Sequence, residues 1–154
     1  MRVYFIPFVA GIVLAISAFL PWVIVAEVSL SGVPDIAGLW IVGLGVLASV
    51  LAILSLITRR NSRHPLLVVG LIALGIMFLA WRVMPRMAGE RARTMSDAYA
   101  IVEDRPFGAA PAATAGSGIF VGLAAASVIV GFGLTIVIRR VSTPYTVTTS
   151  DDDV

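Results

Sequence analysis

Four long apolar runs, nearly free of ionisable groups, fill residues 3–22, 36–58, 65–84 and 117–138 of this 154-residue chain. At ~1.5 Å per helical residue, each is long enough to cross a hydrocarbon layer ~30 Å thick. The expected fold is an all-α membrane protein, a four-transmembrane-helix bundle over residues 1–140. Its first outer loop is short and extended, its second outer segment partly helical, and residues 141–154 form a polar cytoplasmic tail. Hydrophobic residues make up 59% of the sequence and charged ones 13%, a balance foreign to a soluble domain. The first run reads as a true span and not a cleaved leader. It is longer than a signal-peptide core, only Arg2 precedes it, and an A-x-A site is lacking.

All eleven basic residues are Arg. Together with abundant Ala, Gly and Val, this fits a GC-rich bacterial genome and a place in the bacterial cytoplasmic membrane. Arg59, Arg60 and Arg63 crowd the turn between the second and third runs, and Arg139-Arg140 follow the fourth. Loops rich in Arg stay in the cytoplasm, so the termini are expected inside, N-in/C-in. Against this stand Arg82, Arg86, Arg91, Arg93 and Arg105 on the other side, interspersed with Glu90, Asp97, Glu103 and Asp104.

Between the first two runs, residues 23–30 are β-branched and follow Pro21-Trp22, which favours an extended strand over helix. Residues 31–35, Ser-Gly-Val-Pro-Asp, are turn chemistry, and Asp35 is placed to cap the second helix. After the third run, Met87, Arg91, Met95, Ala98 and Val102 recur at helical spacing. The third helix is expected to bend near Pro85 and continue, or restart, as an amphipathic segment. Residues 109–116 read as a small-residue linker. The tail ends Asp151-Asp152-Asp153-Val154, a solvated acidic end without the spacing of a calcium loop.

The spans lack what membrane chemistry ordinarily uses. There is no Cys for redox or thiolate metal sites, and the one His, His64, stands at a span edge. All nine acids lie outside the runs, which leaves no embedded carboxylate for proton coupling. No catalytic residue, cofactor site or metal site is expected, and no basic patch with interleaved aromatics points to nucleic acid. The positive signal is small residues at helical spacing, which let backbones approach in lipid. In the fourth run Gly118, Gly122 and Ala126 form one stripe, and Ser127 with Gly131 a second. Gly11-x-x-x-Ala15, Gly45, Ala48 and Ala52, and Gly70 and Gly75 mark the other runs. Arg82, beside Trp81, and Arg86 one turn on are the candidate outer-side polar anchors.

Leu20-Pro21-Trp22-Val23, followed by Gly38-Leu39-Trp40, resembles a group of uncharacterised bacterial four-span proteins whose first helix ends in Leu-Pro-Trp. The resemblance covers about the first 60 residues and implies topology, not activity. Gly38-Leu39-Trp40 is also similar to a claudin signature. The chain departs from that pattern in lacking the paired Cys and in its far shorter first loop. The expected function is a non-catalytic accessory subunit of a larger membrane complex, respiratory or photosynthetic. It would work by helix packing, with other integral membrane subunits and lipids as partners. The alternative is a small homo-oligomeric transporter or channel, whose path only backbone, Ser17, Ser49, Ser55 or Ser127 could line.

Overall fold

A computed structural model of the chain describes residues 4–58, 63–109 and 111–141. Its elements, in chain order, are α1 (Phe5–Ser17), β1 (Pro21–Val25), β2 (Val28–Ser31), α2 (Ile36–Thr58), α3 (Arg63–Val102), β3 (Ala113–Ala115) and α4 (Ser117–Val141). Three helices, α2, α3 and the described part of α4, are long and apolar enough to cross a membrane. Only 33–44% of their most apolar stretches is buried within the molecule, so most of that surface faces outward, as it does in lipid.

The helices pack side by side, α1 against α2 and α4, and α3 against α4 and α2. Glycines set these approaches. A Cβ on Gly11 would lie 2.7 Å from the carbonyl oxygen of Gly45, and one on Gly45 would lie 2.6 Å from that of Gly11, so the backbones of α1 and α2 touch there. Gly70 meets Ile129 and Val130, and Gly133 meets Leu67, which closes α3 onto α4. Tyr4 stands edge-on to Phe132 at 5.2 Å, joining the start of α1 to α4. Leu14, Ile41, Leu66, Met77, Ile119 and Ile129 fill the interior.

The first run does not stay helical to Trp22. α1 ends at Ser17, a length of about 20 Å. The amides of Ala18, Phe19 and Leu20 then bond three residues back, tightening the last turn. Pro21 has no amide and disfavours helix at Leu20, and Val23-Ile24-Val25 favour the pleat, so a strand begins at Pro21. Asp35 stands where expected, its Oδ1 accepting the Ile36 amide at 2.9 Å and its carbonyl the Leu39 amide at 3.1 Å.

The first loop is a hairpin and not a single strand. β1 and β2 pair antiparallel across Ala26-Glu27, with Ala26 in the left-handed region at φ 53°. The small-residue stretch expected as linker supplies β3, which pairs with the other edge of β1, giving the order β2-β1-β3. α3 runs unbroken through Pro85 to Val102, so its second half is a continuation and not a restart. Tail residues 142–154 and the Arg59–Asn61 part of the basic turn lie outside the described residues, as does Ser62.

Trp22 joins the sheet to the helices. Its side chain is 1% exposed, and its Nε1 donates to the Ser17 carbonyl at 2.8 Å. Gly32 lies against one side of the indole and Gly118 against Cδ1. Trp22 is thus the plug between the hairpin, α1 and α4.

Candidate functional site

The sheet and the second half of α3 build a concave feature between them. Val23 and Val25 of β1 pair with Leu30 and Val28 of β2, and with Ala115 and Ala113 of β3. Paired positions share a face, so these six side chains make one apolar face, while Ile24, Ser29 and Thr114 take the other. The apolar face turns toward α3. Alanines at β3 permit close approach: a Cβ on Gly89 of α3 would lie 3.6 Å from that of Ala113. At the β2 side nothing closes the gap, and a cleft of about 760 Å³ opens there. Ligand pockets typically hold about 300–1,000 Å³.

One wall of the cleft is the hairpin, through Val23, Val25, Val28 and Leu30. The other is the stripe Ile76, Ala80, Val83, Met87, Arg91 and Met95, spaced by three or four residues along α3. Trp22 and Ala37 lie at its base. Both walls keep large apolar groups in the open: Val28 is 63% exposed, Met95 66% and Leu79 62%. Met84, Met87 and Met95 add unbranched thioether chains that adapt to an irregular guest.

The polar groups of the lining are few. Ser31 donates its hydroxyl to the Val33 carbonyl at 2.6 Å. Asp35, at the foot of the hairpin, is held by the Ile36 amide. Arg91 is exposed and makes no ion pair among the described residues, where the one salt bridge joins Arg105 to Glu103 at 3.2 Å. Nothing in the lining offers a nucleophile next to a base. Among the described residues, no three His, Cys, Asp or Glu side chains come together as a metal site. The cleft is equipped to hold an apolar guest.

The residues singled out from the sequence go to different places. Gly118, Gly122 and Ala126 are buried inside the molecule. Gly118 meets Trp22, Ser17 and Pro21, and Gly122 meets Met77 and the Ser17 hydroxyl. Gly131 points the other way, with open space where its side chain would be, and Ser127 shares the exposed surface. Arg82 is exposed and lies over the Trp81 ring, 5.8 Å from its centroid, and Arg86 is exposed one turn on. Ser17 and Ser49 donate their hydroxyls to helix carbonyls, and none of the four candidate path-lining serines reaches the cleft. Of the cleft, the sequence carried the α3 stripe Met87–Arg91–Met95 and the extended, β-branched residues 23–30. It gave no sign that β3 would draw the two together.

No protein-family model, curated protein or solved structure matches the chain.

Proposed function

We propose that this chain is a non-catalytic accessory subunit of a larger membrane complex, a four-helix transmembrane bundle that acts by packing a partner's helix against α4. The observation that carries the reading is the outward face of α4. Ala124, Ser127 and Gly131 lie there, exposed, at helical spacing, and no neighbour occupies the space at Gly131. In lipid, apolar bulk gives no net drive to associate. A shallow lane of small side chains does, because it lets a second backbone come close. Gly118, Gly122 and Ala126 are the inner lane, which this chain fills itself; Gly131 heads the outer one. The bioenergetic setting, respiratory or photosynthetic, stays part of the proposal, as do other integral membrane subunits and lipids as partners.

The two lanes separate in one experiment. Gly131→Leu should leave the helices packed, since its side chain enters open space, yet strip partners from the tagged protein in mild-detergent purification. Gly122→Leu should fail earlier, because any side chain there collides with Met77 and the Ser17 hydroxyl. Unchanged recovery of partners by a folded Gly131→Leu protein would sink the reading.

A further inference from the structure

We infer that the cleft between the β1–β2 hairpin and α3 holds one acyl chain of an anionic phospholipid, with the head at Arg91 and the tail running down α3 into the bilayer. The inference is independent of the α4 contact. Three observations converge on this occupant.

The first is continuity. The lower α3 wall includes Leu79 and Val83, 62% and 42% exposed, on the same apolar half of the helix that faces lipid. A chain from the adjacent leaflet therefore passes up this wall without leaving apolar contact. A soluble apolar ligand would have no such path of constant low polarity. The second is shape. From Leu79 to Arg91 the α3 wall rises twelve residues, about 18 Å, comparable in length to a long acyl chain. Below Arg91 the side chains of that wall are aliphatic or thioether. The third is charge. Arg91 is the only cation of the lining, and no described acid pairs with it. Asp35, the lining's acid, lies at the foot of the hairpin and is already bonded to the Ile36 amide. A head of net negative charge at the upper end completes what Arg91 lacks, its phosphate accepting from the guanidinium with no choline cation beside it to offset the pairing.

Photocrosslinking in vesicles tests this with the full chain alone. The purified protein is reconstituted into phosphatidylcholine vesicles containing phosphatidylglycerol with a photoreactive acyl chain, irradiated, and its adducts mapped by mass spectrometry. Adducts should concentrate on Val28, Leu30 and Met87. Ala88→Trp, which fills the α3 wall, should lower them about tenfold. Met95 is mostly exposed, so Met95→Trp obstructs the mouth without burdening the fold and should act in the same direction. Arg91→Gln should cut labelling by phosphatidylglycerol about tenfold, the scale of a charge-assisted hydrogen bond. The same photoreactive chain on phosphatidylcholine should label the wild-type cleft weakly. Adducts confined to outward residues such as Leu47, Val50 and Leu71, or equal cleft labelling by both lipids, would overturn the inference.

Discussion

At the scale of single residues, Trp22 and the glycines around it decide whether the sheet stays on the helices. The indole is buried on every side and donates its one hydrogen bond to Ser17. No described glycine has a positive φ, so Gly32 and Gly118 are needed for space and not for backbone conformation. Their surroundings differ in a testable way. All three atoms nearest a Cβ on Gly32 belong to the Trp22 ring, whereas Gly118 faces Trp22 Cδ1 together with the backbone oxygens of Ser17 and Pro21. Gly32→Ala should destabilise by about 1–3 kcal/mol, the usual cost of overpacking. Adding Trp22→Leu should relieve that penalty, a coupling of about 1–2 kcal/mol. Gly118→Ala should cost a similar amount but gain little from the same second change, because two of its obstacles are main chain. Thermal unfolding of the single and double variants in detergent gives both cycles, and strict additivity at Gly32 would contradict the packing described.

Among the elements, α3 makes the cleft possible, and Pro85 is its weak point. Proline in a helix interior removes the bond to the carbonyl four residues back, here Trp81, and crowds it, at a cost of about 3 kcal/mol. The helix still runs on, because Met84, Arg86, Met87 and Ala88 favour it and its second half packs on the sheet. Pro85→Ala should therefore raise the melting temperature while leaving helical circular dichroism unchanged. A lower melting temperature would mean that the proline sets the angle at which α3 meets β3.

Legibility from sequence followed the range of the forces. The helical stripe on α3, the cap at Asp35 and the strand after Pro21 depend on neighbours a few residues away, and all were readable. The end of α1 was misplaced because an apolar stretch such as Ala18–Trp22 has the same composition in a span and in a turn that leads into a strand. β3 was invisible because Ala-Thr-Ala has little strand preference of its own. It is a strand only because β1, some ninety residues earlier, offers its free edge. The two roles of the small residues in α4 could not be told apart either, since a one-dimensional stripe does not say which side of the helix meets α1 and α3.

For the whole molecule, the open matter is which side of the membrane carries the sheet and cleft, and charge supplies the argument. The α2–α3 connection holds Arg59, Arg60 and Arg63 within a short stretch without acids, the kind of segment that most strongly resists translocation. The sheet side carries five Arg against six on the other, which adds Arg2, Arg139 and Arg140 to the turn; of the five, Arg82 lies over Trp81 at the edge of the apolar part of α3, and Arg105 pairs with Glu103. The hairpin itself contains no basic residue. This balance predicts a cytoplasmic Arg turn and an outward-facing cleft, with the cleft's acyl chain drawn from the outer leaflet. Because the chain has no cysteine, single replacements report topology without background. Glu27→Cys in the hairpin turn and Ser96→Cys on α3 should react with a membrane-impermeant maleimide in intact cells. Ser62→Cys should react only after permeabilisation. The reverse pattern would turn the molecule over and draw the cleft's lipid from the cytoplasmic leaflet. Labelling of all three in intact cells would mean dual insertion, which the near balance of five Arg on the sheet side against six on the other would then explain.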